Sequence, residues 1–230
     1  MSMEKGQLSI HTENFLPIIK KWLYSDRDIF IRELISNCCD AVAKRRMVGQ
    51  IPDDYQPRVT VRVDKEHRIL SFTDNGVGMT AEEVRKYINQ VAFSGANDFM
   101  EKYKDSGEQI IGHFGLGFYS AFMVADKVRI DTLSCLPDAK AVCWESDGSV
   151  EYTMEETERE EVGTTVTLYL NNESDEFLDG NTVKSTIRKY CSFMPTPIYC
   201  EVAVVYLLFC TVITKLQGLL ERQLNAHGFQ

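Results

Sequence analysis

The order of its predicted elements places this chain in the α+β class. Apolar residues repeat with a helical period early in the chain, whereas alternating apolar and polar residues dominate from Lys127 onward. Helices followed by a run of strands are typical of an α+β domain with a mainly antiparallel sheet. The 230 residues are 44% hydrophobic and 26% charged, which is ordinary for a globular protein with a substantial core.

The first half of the chain is predicted to be mostly helical, with one pair of strands. The predicted elements are a short strand (7–11), a helix (13–24), a second helix (28–47) that Asp26 can cap, and two strands (58–64 and 68–73). A third helix follows Thr80, because Glu83 three residues later completes a capping box. Residues 94–117 contain five glycines and are expected to form a mobile segment with one short helix, and 118–124 a short buried helix.

The second half is predicted to supply most of the sheet. Alternation predicts strands at 127–133, 139–145, 150–154 and 164–170, and a helical pattern covers 182–190. The sequence Met194-Pro195-Thr196-Pro197 is expected to end the ordered pattern, because proline cannot continue a helix or a central strand.

Charge and cysteine content exclude several classes of protein. The net charge of −9 makes a general nucleic-acid binder improbable, since such proteins need a cationic surface. Twelve acidic residues and one basic residue lie between Glu145 and Asp179, a stretch expected to be a solvated surface. Seven cysteines without a C-x-x-C pair, four histidines without ligand spacing and no signal-type N-terminus favour a cytoplasmic protein with reduced thiols and disfavour a zinc enzyme.

Three constellations could carry chemistry. In the second helix, Glu33, Asn37, Asp40 and Lys44 share an arc of about 60°. This stripe is either a solvent face or a site, although Asn and Asp are poor choices for an ordinary exposed helix face.

The second constellation, Asp74-Asn75-Gly76-Val77-Gly78-Met79, directly follows a strand. It is either a plain Asn-Gly turn or a carboxylate placed to accept a hydrogen bond from a ligand amino group beside closely approaching backbone.

The third constellation, Gly112-His113-Phe114-Gly115-Leu116-Gly117, precedes a predicted helix. It is either a flexible hinge or a set of amides that binds anions. Neither the dinucleotide fingerprint nor the P-loop spacing is present. Together, the three constellations predict an adenine nucleotide site.

These residues resemble the N-terminal ATPase domain of the heat shock protein 90 chaperones. The similarity is carried by Ile31-Arg32-Glu33-Leu34-Ile35-Ser36-Asn37, by the Asp74–Met79 segment, and by the glycines that lead into Phe118-Tyr119-Ser120-Ala121-Phe122. It covers residues 4–201, so that 1–201 is predicted to be the ATP-binding domain and 202–230 a tail unlike the family. The resemblance implies the Bergerat-type nucleotide-binding fold, with helices over one face of a mixed, largely antiparallel sheet.

The resemblance also implies roles for individual residues. Glu33 matches the general base that activates the water attacking the γ-phosphate. Asn37 matches the Mg²⁺ ligand, and Asp74 matches the acceptor for the adenine amino group, assisted by Thr164. The remaining ATP-binding matches are Asp40, Lys44, Gly78, Met79 and Phe118 in the pocket and Gly112, Gly115 and Gly117 in the lid hinge.

The chain departs from the family pattern at two lid positions and at its end. His113 and Phe93 stand where glutamine and lysine are common, and the uncharged run 202–214 is too short to span a bilayer. The family implies ATP, ADP and Mg²⁺ as ligands, unfolded clients as partners, a homodimeric full-length chaperone, and weak hydrolysis by a monomeric fragment without the middle and dimerisation domains. The rival hypotheses are a nucleotide-binding module without turnover and a topoisomerase or mismatch-repair ATPase.

Overall fold

The computed structural model describes residues 27–49, 51–89, 117–149 and 151–202, together with residue 215. The predicted strand at 7–11, the helix at 13–24, the capping role of Asp26, the predicted mobile segment except for Gly117, and nearly all of the tail lie outside the described residues. The described helices are α1 (Ile29–Val48), α2 (Ala81–Tyr87) and α3 (Gly180–Cys191), with 3-10 segments at Gly117–Met123 and Asp175–Leu178. The Thr80–Glu83 capping box of α2 is confirmed.

One mixed sheet organises the described part of the chain. Its seven strands are β1 (Val59–Asp64), β2 (Ile69–Asp74), β3 (Ala125–Leu133), β4 (Ala141–Ser146), β5 (Thr153–Thr157), β6 (Gly163–Leu170) and β7 (Ile198–Val202). They lie in the order β5-β4-β3-β6-β2-β1-β7. All neighbours are antiparallel except β1 and β7, which are parallel. The predicted α+β class and the mixed, largely antiparallel sheet are therefore confirmed, although β5 begins three residues later than expected.

The expectation that the order ends at Met194-Pro195-Thr196-Pro197 is wrong. The carbonyl of Pro197 accepts a hydrogen bond from Val59 N at 2.9 Å, and β7 then runs parallel to β1. β7 is short and only partly buried, so its own residues carry a weak strand pattern. Its backbone partner lies about 140 residues earlier in the chain, which a local pattern cannot reveal.

The two faces of the sheet differ in chemistry. On the inner face, the side chains of Val61 and Phe72 are adjacent in register and fully buried, and they belong to the same core cluster as Phe30 of α1. On the outer face, Arg62, Ser71, Thr167, Arg129 and Glu145 form one cross-strand row. The helices therefore cover one face of the sheet, as the resemblance implied.

Helix α1 is held in the core by aromatic packing. Phe30 makes edge-to-face contacts with Phe177 at a centroid distance of 4.9 Å and with Phe72 at 6.3 Å. Phe177 lies in the 3-10 segment Asp175–Leu178, which the sequence pattern did not predict. Asp28 precedes α1 without a capping side-chain bond and instead accepts a hydrogen bond from the Tyr190 hydroxyl at 3.1 Å. This bond joins the start of α1 to α3.

The acidic stretch behaves as a solvated surface, which confirms that expectation. Its glutamates on β5 and the adjoining loops are exposed: Glu151, Glu155, Glu156, Glu158, Glu160 and Glu161. Six cysteines of the described residues, Cys38, Cys39, Cys135, Cys143, Cys191 and Cys200, are free thiols. Among the described residues no helix combines the length and apolar character needed to cross a membrane.

Candidate active site

A row of polar side chains lies on the buried face at one end of the sheet. Asp74, Thr164 and Thr132 are in register on the adjacent strands β2, β6 and β3. All three residues are buried, between 0% and 7% exposed, and Asp74 lies near Cys38 of α1. The hydroxyls of Thr132 and Thr164 lie 2.9 Å apart, and Thr132 Oγ1 accepts a hydrogen bond from Met79 N at 2.9 Å. We call Asp74, Thr164 and Thr132 the polar floor, because this polar row closes one end of the apolar core.

Asp74 is the chemically unusual member of this row. Its Oδ1 accepts a hydrogen bond from Gly76 N at 2.8 Å. The Thr164 backbone N–H and the Cys38 thiol of α1 also lie near enough to lower the pKa of this carboxyl group. Burial raises the pKa of the Asp74 carboxyl to about 7, since these hydrogen bonds and the more distant Arg159 only partly offset the loss of water. A buried carboxyl group with so few protein donors has a strong tendency to accept another.

Helix α1 lies directly against the turn that follows Asp74. The Ala41 carbonyl accepts a hydrogen bond from Val77 N at 2.9 Å. A Cβ added to Gly76 would lie 2.4 Å from the carbonyl carbon of Ala41, so only glycine permits this approach. The second constellation is therefore more than an Asn-Gly turn, because it fixes the helix against the polar floor.

The polar stripe of α1 is graded in exposure. Asp40 is 6% exposed, Glu33 and Lys44 are partly buried, and Asn37 is exposed. Burial lowers the pKa of the Lys44 amine, opposed by the charges of Asp40 and Glu83. Because the stripe is not uniformly exposed, the interpretation as an ordinary solvent face accounts poorly for it.

Glu33 lies beside the end of the glycine-rich segment. A Cβ added to Gly117 would lie 2.6 Å from Glu33 Oε2. The other carboxylate oxygen, Oε1, accepts hydrogen bonds from Arg32 Nη2 at 2.5 Å and Arg32 Nε at 3.1 Å. The side chain of Glu33 is 22% exposed, so its carboxylate remains accessible. The structure thus brings the polar stripe of α1 and the end of the glycine-rich constellation together at this point.

Phe118 lies deeper than the other predicted residues. It is 8% exposed and packs edge-to-face against Trp144 at 5.8 Å and Phe122 at 6.2 Å. These contacts place Phe118, the second residue of the 3-10 segment Gly117–Met123, in the hydrophobic core. Gly112 and Gly115 lie outside the described residues, so their place in the site stays a prediction.

Two residues that sequence reasoning missed belong to the site. Thr132 becomes visible only when β3 and β6 are aligned, because its hydroxyl then meets that of Thr164. Cys38 was assigned to the core face of α1, and it is buried there, yet its thiol also reaches Asp74. Burial and the nearby Asp74 raise the pKa of the Cys38 thiol well above its ordinary value, so it acts as a neutral donor.

Gly78 provides a direct test of the turn. It has φ of +65°, and an added Cβ would lie 1.9 Å from the Leu133 carbonyl oxygen. We expect Gly78→Ala to lower the free energy of unfolding by about 3 kcal/mol or more, since strain is added to a backbone clash. Gly49→Ala is the matched control: φ is +76°, but nothing lies within 4 Å, so the loss should be about 1 kcal/mol. Equal losses in urea unfolding would contradict this account of the turn.

Comparison with known proteins gives a consistent result. A model of the family described as histidine kinase-, DNA gyrase B-, and HSP90-like ATPase matches residues 25–172. The chain is 50% identical over 198 residues to chaperone protein htpG of Bacteroides fragilis strain 638R, covering 85% of this chain and 29% of that protein. It is 48% identical over 199 residues to chaperone protein HtpG of Porphyromonas gingivalis strain W83, with the same coverage.

A third relative is less similar in sequence but matches a similar share of this chain. The chain is 39% identical over 206 residues to chaperone protein HtpG of Desulfitobacterium hafniense, covering 86% of this chain and 34% of that protein. The chain therefore spans about a third or less of the length of these relatives.

Proposed function

The chain belongs to the histidine kinase-, DNA gyrase B-, and HSP90-like ATPase family, on its HSP90 branch, and from this premise we propose that it binds ATP or ADP with Mg²⁺ and hydrolyses ATP slowly. We further propose that this activity drives the conformational cycle of a cytoplasmic, homodimeric chaperone acting on unfolded proteins. The names of the relatives support a chaperone, and the family resemblance implies the remaining properties. Residues 1–201 would form the nucleotide-binding domain, and 202–230 a tail outside it.

The observation that carries the proposal is the buried Asp74 carboxyl at the end of the polar floor. It lies 4% exposed beneath α1 and keeps acceptor capacity that few protein groups use. The exocyclic amino group of adenine supplies the donor that this acceptor lacks. In this arrangement the Thr164 hydroxyl assists the same recognition through water, while Gly78, Met79, Asp40, Lys44 and Phe118 shape the surrounding pocket.

The phosphates would lie toward the N-terminal end of α1, where Glu33 stands. Gly117 closes against Glu33, and the preceding glycines Gly112 and Gly115 are proposed to supply backbone amides for the phosphate oxygens. Glu33 Oε2 faces this end and is proposed to accept a proton from the attacking water, while Arg32 holds Oε1. Adenine recognition near the middle of α1 and hydrolysis near its N-terminal end are thereby assigned to different turns of one helix.

The residues present fit Mg²⁺. The exposed Asn37 lies between Glu33 and Asp40 in the polar stripe of α1 and offers an amide oxygen. Mg²⁺ prefers hard oxygen ligands and is commonly held by few protein groups together with substrate phosphates. When bound, the ion neutralises phosphate charge. Asn37 would hold it, and this chain's other residues would orient the nucleotide and the attacking water.

The test is a calorimetric titration of ATP with and without Mg²⁺. We expect binding that Mg²⁺ strengthens, and we expect Asn37→Ala to remove most of that strengthening while leaving the Mg²⁺-free affinity nearly unchanged. Asn181→Ala, at an exposed position on α3, is the control and should behave as wild type. Absence of ATP binding by the folded wild-type chain would refute the proposed function.

A further inference from the structure

The carbonyl oxygen of Asn75 is held by two side chains from different parts of the chain. Arg45 Nη1 donates to it at 2.7 Å, and the Tyr55 hydroxyl donates at 3.0 Å. The Arg45 guanidinium also lies over the Tyr55 ring, 4.7 Å from its centroid. We call Arg45, Tyr55 and Asn75 the Asn75 clamp.

The side chain of Asn75 is fixed as firmly as its carbonyl. Its Oδ1 accepts a hydrogen bond from Arg58 N at 2.9 Å, and its Nδ2 donates to the Gln56 carbonyl at 2.7 Å. Tyr55 therefore belongs to a loop whose backbone is already tied to Asn75. As a result the Tyr55 hydroxyl approaches the carbonyl from a defined direction.

Burial of Arg45 is costly for the protein. The residue is 7% exposed, and its Nε has no hydrogen-bond partner within the described part of the chain. A buried guanidinium with incomplete hydrogen bonding reduces stability. The favourable position of a cation in the last turn of α1 offsets only part of this cost. Stability alone therefore gives a weak reason for an arginine here.

Peptide geometry connects the clamp to Asp74. The carbonyl of Asn75 and the N–H of Gly76 belong to one planar peptide unit, so they point in opposite directions. Fixing the carbonyl toward Arg45 and Tyr55 aims the Gly76 N–H at Asp74 Oδ1, which it reaches at 2.8 Å. That hydrogen bond sets which carboxyl oxygen remains available for a ligand.

We propose that Arg45 and Tyr55 are positioning residues that determine adenine selectivity by orienting the Asn75–Gly76 peptide and, through it, the acceptor oxygen of Asp74. This inference rests on the proposed function, because it assumes that Asp74 accepts a hydrogen bond from the adenine amino group. Neither side chain contacts the nucleotide in this scheme.

The experiment compares the affinities of ATP and its 6-deamino analogue, purine riboside triphosphate, for the full chain. Tyr55→Phe removes one donor and keeps the ring, whereas Arg45→Leu removes the other donor and the charge. Arg45→Lys restores a charged donor. Arg46→Leu, at the exposed neighbouring position, is the control for loss of charge. Thermal unfolding of each variant reports stability separately.

For wild type we expect a clear preference for ATP over the analogue. At pH 8, where the Asp74 carboxyl is ionised, Tyr55→Phe and Arg45→Leu should weaken ATP binding about tenfold, as expected for a displaced hydrogen bond to a charged group. Their affinity for the analogue should stay within about twofold, because the analogue lacks the amino group. Arg45→Lys should recover most of the preference, and Arg46→Leu should retain all of it.

Two results would overturn the inference: equal weakening of both nucleotides, which indicates general destabilisation, or an unchanged preference in the folded variants. If Arg45→Leu does not fold, the comparison of the two nucleotides with Tyr55→Phe tests the inference alone. This variant is expected to fold because it keeps the partly buried aromatic ring. Wild type that binds both nucleotides equally would instead refute the adenine assignment of Asp74, and the role of the clamp would fall with it.

Discussion

Replacing Asp74 with asparagine is expected to weaken ATP binding at least about 100-fold while stabilising the folded chain at pH 8. In the wild type the Gly76 N–H donates to Asp74 Oδ1, and the Thr164 N–H and the Cys38 thiol lie near the same carboxyl group. An amide has one acceptor oxygen and a donating NH₂ group. The asparagine amide can take two orientations. In one its NH₂ group faces the Gly76 N–H, and in the other it faces the adenine amino group, so that in both orientations two hydrogen-bond donors face each other.

The measurement is calorimetric titration of ATP with wild type, Asp74→Asn and Asp126→Asn. Asp126 lies on β3 and is exposed, so its substitution removes the same charge without touching the polar floor. We expect Asp126→Asn to bind ATP as wild type does. Unchanged affinity in Asp74→Asn would rule out Asp74 as the adenine acceptor.

The gain in stability follows from the raised pKa of Asp74. The folded chain holds this proton up to a pKa of about 7, whereas the unfolded chain releases it near the ordinary value of 3.8. Stability from the buried neutral carboxyl is therefore fully present below pH 3.8 and is lost as the pH rises to about 7.

Asparagine does not titrate, so the two proteins should diverge with pH. We expect the stability difference between Asp74→Asn and wild type to be about 2–3 kcal/mol larger at pH 8 than at pH 5. Urea unfolding at both pH values measures it. A difference that does not change with pH would mean that Asp74 is not a desolvated carboxyl group.

Local signals explain which parts of the fold could be predicted from the sequence. The capping box at Thr80 involves residues three apart, and the polar stripe of α1 repeats within one helix. Both could therefore be predicted from the local sequence alone. β7 is different, because its order depends on hydrogen bonds to β1, far away in the chain. The 3-10 segment that carries Phe177 likewise depends on a contact with Phe30 rather than on its own sequence.

The residues of the candidate site also fall into two groups, those that local sequence patterns could predict and those that only the fold brings together. Motif spacing could single out Glu33, Asn37 and Asp74, because each stands in a short pattern with unusual residue types. Thr132 could not be found in this way, since it lies in an ordinary strand and gains its role from cross-strand register. Arg45 and Tyr55 lie in a helix end and a polar loop, and only the folded chain brings them to Asn75.

The second large effect concerns hydrolysis. We expect Glu33→Gln to slow single-turnover ATP hydrolysis about 10²–10⁴-fold, the usual contribution of a general base, while ATP affinity changes little. The substituted amide keeps the size of the side chain, and its oxygen can still accept from Arg32, which lies 2.5 Å from Glu33 Oε1. What it loses is the ability to take a proton from water.

Glu82→Gln supplies the matched control, because Glu82 is an exposed glutamate on α2 and belongs to none of the proposed site residues. It should hydrolyse ATP at the wild-type rate. Single-turnover conditions with enzyme in excess report chemistry without product release. If the wild-type chain binds ATP but Glu33→Gln hydrolyses it equally fast, the residual rate is not general-base catalysis by Glu33. A wild-type chain that binds ATP and does not hydrolyse it would instead be a nucleotide-binding module without turnover.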